Sequence, residues 1–248
     1  MFSFFTKKQY LIDHLEGFVD IHNHILPGID DGAKTVEDSL ALIKGFAEFG
    51  VTDFICTPHI MENYYPNTPE TVNKALSLLH NALKINDLSH VHVRAAAEHM
   101  IDAGFEGRLE EHKIMPLADN YILIEMSYLQ PSLNLFDMVE KISENKLYPI
   151  LAHPERYSFL HKKFQAYQDY KEKGLLMQLN LLSLSKYYGE DVQKTGYKLL
   201  EGGLIDFLGT DVHNENQLKA LESIIIPKKT TKLIYAARDR TIYNFGIA

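Results

Sequence analysis

The 248-residue chain has a single cysteine, Cys56, and no tryptophan. One cysteine cannot close an intramolecular disulfide and suits a reducing compartment, so a disulfide scaffold is excluded. No apolar run reaches the ~18 residues of a membrane span. The opening MFSFFTKKQY is aromatic and basic but lacks the apolar stretch of a signal peptide. There is no Lys/Arg-rich run and the formal net charge is −8, which makes duplex nucleic acid or an anionic membrane a poor partner. These absences predict a cytoplasmic protein that does not insert into membranes. Low-complexity segments, Pro/Ser linkers and strict repeats are missing too. With 46% hydrophobic residues the chain can fill one sizeable core, and residues 1–248 are expected to form a single domain.

What is present is a rhythm. Short apolar, β-branched or aromatic runs recur at 18–24 (FVDIHNH), 51–59 (VTDFICTPH), 90–98 (HVHVRAAAE) and 121–126 (YILIEM). They continue at 148–153 (YPILAH), 175–180 (LLMQLN) and 204–211 (LIDFLGTD). Between most of them lie stretches with helical spacing. In TVEDSLALIKGFAEFG, Val36, Leu40, Ile43 and Ala47 share one face, Gly50 is placed to end the helix, and Thr35 with Asp38 resembles a weakened capping box. LFDMVEKISENK and DVQKTGYKLLEGG repeat the pattern. Continuous apolar strands alternating with helices predict an α/β fold with a parallel sheet covered on its outer face. Seven strands suggest a closed or nearly closed TIM-like barrel, with an open doubly wound sheet as the alternative.

The runs end in polar residues. His22 and His24 end the first, His59 the second, Glu98 the third, Glu125 the fourth and His153 the fifth; Asp211, with His213 just beyond, ends the seventh. The sixth offers Asn180 instead. Parallel barrel strands bring these ends to one face, where such folds carry their chemistry. Imidazoles and carboxylates without a thiolate form an N/O ligand set suited to Mn, Fe, Zn or Mg. A period of two turns His22 and His24 to one side and Asn23 away, and Asp211 and His213 repeat that spacing. Asp31, Glu98, Glu125 and Asp211 would repel one another and a phosphate unless divalent ions, three in this reading, offset their charge. Two or more metals close together activate water and clamp an in-line displacement at phosphorus.

Other residues admit simpler readings. His14, His80, His90, His92, His112 and His161 fall on expected helices, loops or strand starts and are taken as surface residues; His99 should face away from Glu98. The string HNH lacks the spacing of the nuclease motif of that name. Cys56 lies within a strand and has Glu, not Arg, six residues on, so a cysteine-phosphatase loop is absent. Arg156, in the AHPERY loop, suits bidentate phosphate binding. Tyr64 and Tyr65 could stack on an aromatic substrate or only cover their loop.

The strings VDIHNHILPGIDDGAKT, ICTPH, AAAEHMID, AHPERY, QLNLLSLSKYYG and LGTDVHN, in this order over about residues 18–214, make the chain similar to the polymerase-and-histidinol-phosphatase (PHP) superfamily of metal-dependent phosphoesterases. Within it the chain resembles bacterial tyrosine-protein phosphatases of capsule and exopolysaccharide operons. The resemblance implies a distorted (β/α)7 barrel and a trinuclear centre, manganese foremost. Its ligands would be His22, His24, Asp31, His59, Glu98 (shared by two ions), Glu125, His153, Asp211 and His213; Asp30 matches none. Arg156, His59 and Asp211 are the residues expected to carry catalysis, and Arg156, Tyr64 and Asn180 those expected to touch substrate. The implied reaction is hydrolysis of phosphotyrosine on an autophosphorylated bacterial tyrosine kinase by a hydroxide bridging metals; oligomerisation stays open. Two departures are Lys186, where relatives often carry Gly, and the lack of an arginine in HNENQLKA after the D-x-H motif. The rival readings are a small-molecule phosphoesterase, acting on histidinol phosphate or a nucleotide, and a non-catalytic, metal-stabilised module that binds a kinase.

Overall fold

The computed structural model describes residues 8–118 and 120–247. After a 3-10 turn at Leu11–His14, β1 (Val19–Asp20) leads to α1 (Val36–Glu48), β2 (Asp53–Cys56), β3 (His59–Ile60) and α2 (Pro69–Ile85). Next come β4 (His92–Ala95), β5 (Glu98–Met100), α3 (Phe105–Glu110), β6 (Tyr121–Glu125), α4 (Leu135–Glu144) and β7 (Tyr148–Ala152). The chain continues through α5 (Phe164–Glu172), β8 (Leu176–Asn180), α6 (Glu190–Glu201), β9 (Phe207–Gly209), α7 (Glu215–Glu222) and α8 (Thr231–Phe245).

Every pairing between these strands is parallel, in the orders β1-β2-β4 and β3-β5-β6-β7-β8-β9. The expected runs at 51–59 and 90–98 are each interrupted, giving β2 with β3 and β4 with β5. Pro58 has no N–H to give the ladder, yet its carbonyl still accepts from Glu98 N at 3.1 Å, so the two pieces stay in line. The first run is also shorter than expected. His22 and His24 lie past β1, where a parallel bridge between Asn23 and Val212 ties the first strand's continuation to the last one's. Asp211 N donates to His22 O at 2.6 Å and His24 N to Val212 O at 3.0 Å. The sheet thus curls round and meets itself at the strands' C-terminal end, as expected of the barrel and not of the open sheet.

Side-chain alternation sets what each strand gives to either face. Ile122 and Ile124 of β6 join the layer under the helices, whereas Leu123 joins an inner cluster with Ile55, Ala96, Ile150 and Ala152. Two residues beyond Ala96 and Leu123 come Glu98 and Glu125, so the same period that fills the barrel aims these carboxylates at its mouth. Each fully buried aliphatic side chain contributes about 1.5–3 kcal/mol against exposure.

The helices follow their sequence cues. Thr35 and Asp38 form a complete capping box at α1, and Gly50, at φ 76°, takes the left-handed turn after its end. The buried face of α1 is Ser39, Leu40, Leu42, Ile43 and Phe46, rotated slightly from the expected one, with Val36 and Ala47 at its margin. Leu135, Met138, Val139 and Ile142 pin α4, and Thr195, Gly196, Leu199 and Leu200 pin α6. The tail had no expected role, yet α8 seals the barrel's other end: Phe245 stacks edge-on with Phe207 and Tyr121, at 5.1 and 5.2 Å between ring centres. No helix of the described residues is long and apolar enough to cross a membrane.

Candidate metal centre

All nine side chains expected as ligands converge at the C-terminal mouth of the barrel. They fall into four overlapping groups whose donor atoms lie within 4.8 Å of one another: His24, Asp31, His59 and His213; His22, His24 and Asp211; His22, Glu98 and His153; and His59, Glu98 and Glu125. Asp211 Oδ1 stands 3.3 Å from both His22 Nε2 and His24 Nε2. Glu98 Oε2 lies 3.0 Å from His59 Nδ1 and 3.3 Å from His22 Nε2, while its Oε1 lies 3.0 Å from His153 Nε2. Glu125 Oε1 is 2.9 Å from His59 Nδ1. Asp31 sits on the rim, with 51% of its side chain exposed, 3.5 Å from His59 Nε2 and from His213 Nε2.

The local backbone explains the convergence. The alternation expected of His22 and His24 holds: Asn23 between them turns away and donates to Asp20 O and Ile55 O. His153 at φ 35° and Asp211 at φ 56° both occupy the left-handed region, which is costly for residues with a Cβ and concentrates at functional sites. Two glycines permit the close packing. A Cβ on Gly32 would come 2.0 Å from His24 O, and one on Gly209 would come 2.6 Å from His22 Cβ.

His22 Nε2, His24 Nε2, His59 Nδ1, Glu98 Oε2 and Glu125 Oε1 are buried without a hydrogen-bond partner. Lone orphans of this kind are rare in folded proteins. Five of them facing one another across the short distances above is the donor arrangement that a divalent cation satisfies. The titration behaviour of the bare site agrees. Burial would raise Glu98 and Asp211, but His22, with His59 beside Glu98 and Arg156 beside Asp211, holds both well below the usual carboxylate range. Burial opposes the charging of His24, yet Asp30 lifts it to about 10, and Glu125 and Glu98 lift His59 well above its ordinary value. The carboxylates thus favour a positively charged neighbour, a place that divalent ions would fill.

Several roles were not legible beforehand. Asp30, matched to no ligand, places Oδ2 2.8 Å from His24 Nδ1 and accepts from Gly32 N and His59 N. Gln178 Oε1 lies 2.7 Å from His22 Nδ1. Such partners fix the tautomer and aim of a ligating imidazole. Asp20 accepts from Thr210 Oγ1 at 2.6 Å and Thr210 N at 3.0 Å, clasping the first and last strands, and burial pushes its pKa up to about 6. The available cue was a polar residue inside each apolar run: Asp20 at alternate spacing with His22 and His24, and Gln178 amid LLMQLN. Arg156 faces the site but is engaged, its Nη1 2.5 Å from Asp211 Oδ2. Its guanidinium lies over the rings of Tyr128 and Tyr188, at 4.8 and 4.2 Å from their centres. Tyr128 also stacks on His153 and brings its hydroxyl 3.2 Å from His153 Nε2.

Some expectations need correction. Asn180, expected to touch substrate, is fully buried: Nδ2 donates to Asp211 Oδ2 at 2.7 Å and Oδ1 accepts from Gln178, so it braces Asp211 from behind. His14, His80 and His161 are half-buried and hydrogen-bonded to Tyr235 Oη, Val93 O and Glu155 O, while His90, His92 and His112 are exposed as expected. His99 faces away from the mouth toward Leu123 O and Met115 N, as expected, and burial pushes its pKa down to about 4. Cys56 is packed in the apolar layer under the helices, and burial raises its thiol well above the ordinary range. Tyr64 is 76% exposed on a cleft beside His59 and Glu125, and Tyr65 stacks on His59 with ring centres 5.4 Å apart.

Known proteins resemble this chain in sequence and fold. Tyrosine-protein phosphatase YwqE of Bacillus subtilis is 32% identical over 205 residues, 79% of this chain and 77% of that protein. Tyrosine-protein phosphatase CpsB of Streptococcus pneumoniae is 28% identical over 203 residues, 79% of this chain and 83% of that protein. A chain from the crystal structures of these two proteins, described as unique metal-dependent tyrosine phosphatases, superposes with a TM-score of 0.80 over 93% of this chain and 95% of that one, at 26% identity. Histidinol phosphate phosphatase of Lactococcus lactis, solved with zinc, histidinol and phosphate, shares the fold at a TM-score of 0.55 and 14% identity. The family model for capsular polysaccharide synthesis, CpsB/CapC, matches residues 18–224, and the chain belongs to that family.

Proposed function

We propose that the chain is a metal-dependent protein-tyrosine phosphatase, hydrolysing phosphotyrosine on an autophosphorylated tyrosine kinase of a capsule or exopolysaccharide system in the cytoplasm. The observation that carries this reading, against a small-molecule substrate, is the cleft that opens from His59 and Glu125. It has a volume of about 640 Å³, is walled by Met61, Tyr64, Tyr65, Ile101, Tyr128 and Leu129, and at its lip Leu129 is 91% exposed. An open apolar wall fits an aromatic ring carried on a protein chain. A small polar metabolite calls for a more enclosed pocket with converging polar groups.

The ligand set comprises His22, His24, Asp31, His59, Glu98, Glu125, His153, Asp211 and His213, and three divalent ions, manganese foremost, are inferred. The Nδ1 atoms of His22 and His24 are committed to Gln178 and Asp30, leaving one nitrogen on each for an ion. The four overlapping groups therefore cannot all be filled together, whereas the Glu98 carboxylate, with two oxygens, can serve two ions. When bound, the ions supply a water activated at neutral pH and positive charge against the phosphoryl oxygens. The protein's own residues do the rest. Arg156 turns from Asp211 to the phosphoryl group, Asn180 and Gln178 keep Asp211 and His22 aimed, and Tyr64 and Tyr65 flank the aromatic ring of the substrate. Tyrosinate leaves with a pKa of about 10, so its departure asks for little acid assistance.

The test pairs metal analysis of the native protein with turnover of a phosphotyrosine peptide, histidinol phosphate and 5′-nucleotides. The peptide should be hydrolysed with the highest kcat/KM. A clear preference for histidinol phosphate or a nucleotide would replace this reading with the small-molecule one. Kinase binding by metal-loaded protein without any turnover would establish the non-catalytic module.

A further inference from the structure

Arg156 is the side chain assigned to the phosphoryl group in addition to the metal ions, and in this structure it is held by Asp211. A second donor stands beside it. Tyr188, in the loop between β8 and α6, lies face-on against the Arg156 guanidinium, 4.2 Å from Cζ to ring centre. Its hydroxyl is buried and has no hydrogen-bond partner. Burial raises this phenol above its ordinary value, with Asp211 adding to the effect and Arg156 opposing it, so both charged residues lie within its field. Its neighbour Tyr187, by contrast, is 45% exposed and points to solvent. A buried phenol normally finds a partner, and leaving one unmet costs free energy that a ligand can return.

We propose that Tyr188 is a substrate-binding residue whose hydroxyl donates to the phosphoryl group that Arg156 engages, making an Arg–Tyr pair the protein's phosphate clamp. The geometry gives both members a reason to be together. The aromatic face of Tyr188 holds the guanidinium beside Asp211, and Tyr128 offers a second ring at 4.8 Å. When a phosphoryl group draws Arg156 off Asp211, the phenol next to it gains the acceptor it lacks. The inference rests on the phosphoesterase reading for its substrate class and adds the residue that completes recognition.

The experiment uses the full chain, metal-loaded, with Tyr188→Phe, which keeps the ring and removes only the hydroxyl. Affinity for inorganic phosphate is measured by calorimetry beside kcat and KM for a phosphotyrosine peptide and for p-nitrophenyl phosphate. Phosphate binding should weaken about tenfold or more, the scale of one hydrogen bond to a charged group. Both substrates should lose kcat/KM by a similar factor, because the lost contact is to the group they share. Because the hydroxyl has no internal partner, the variant should melt no lower than the parent, and Tyr187→Phe should leave phosphate affinity unchanged. Phosphate binding by Tyr188→Phe equal to that of the parent overturns the proposal. If the parent does not cleave the peptide but Tyr188→Phe still loses phosphate affinity, the tyrosine-phosphatase reading fails and the clamp stands.

Discussion

The two ends of the barrel are made from the same strands and obey opposite rules. At the C-terminal mouth, buried polar atoms lack partners and His153 and Asp211 hold costly backbone angles. At the other end the contacts are mostly apolar, and Arg94 Nε is a buried polar atom there without a partner among the described residues. Phe245 packs on Phe207 and Tyr121, Arg94 donates to Phe245 O, and Thr241 Oγ1 accepts from Leu208 N. One end holds the chain folded, and the other gathers imidazoles and carboxylates that a divalent cation would satisfy together. That division is general for parallel barrels, and here it separates what should destroy activity from what should destroy the fold.

The comparison breaks first if His22→Ala or Asp211→Ala keeps turnover. Each removes a donor from the centre, so we expect metal content to fall and phosphotyrosine hydrolysis to vanish while far-ultraviolet circular dichroism stays that of the parent. At the opposite end, Phe245→Ala should cost about 3–5 kcal/mol in denaturant unfolding, the usual loss for a buried phenylalanine, with kcat of the folded fraction unchanged. A fall in kcat with intact folding would show that the two ends are coupled. Gln178→Ala probes the boundary between them. Freed of its partner at Nδ1, His22 should bind metal about 10–100-fold more weakly, read by chelator competition.

The smallest effect sharpens the comparison through pH. In metal-free protein His24 has a folded pKa near 10 against 6.5 unfolded, so its stabilisation is fully present below 6.5 and is lost as pH rises toward 10. Glu98 and Asp211 are depressed, so their contribution is present above their unfolded values of 4.5 and 3.8 and is lost as pH falls below them. The melting temperature of chelated protein should therefore decline from pH 6.5 to 10, while that of loaded protein, which already holds neutral imidazoles, declines less. Equal slopes would detach the histidine pairings from the metal sites.

How much was legible follows from range. Seven apolar runs with polar ends, read at a period of two, sufficed to name His22, His24, His59, Glu98, Glu125, His153, Asp211 and His213, because strand polarity alone sends such ends to one mouth. The breaks at Pro58 and between Ala95 and Glu98 were missed because they leave the hydropathy pattern intact. Asn180 was assigned to substrate because sequence shows that a strand ends there but not which neighbour claims its amide. Gln178 and Tyr128 pair with His22 and His153, 156 and 25 residues away, so a polar residue in its run marks Gln178 as unusual but local pattern does not name its partner.

By itself, then, the sequence determined the parallel α/β architecture and the imidazoles and carboxylates that share one face, since backbone periodicity and strand direction are local properties. Tertiary structure alone decided which nitrogen faces which carboxylate, that Arg156 rests on Asp211 beside two tyrosines, that Asn180 stands behind the site, and that α8 seals the far end. Those outcomes depend on how strands far apart in the chain meet when the sheet closes, and closure is a property of the whole barrel.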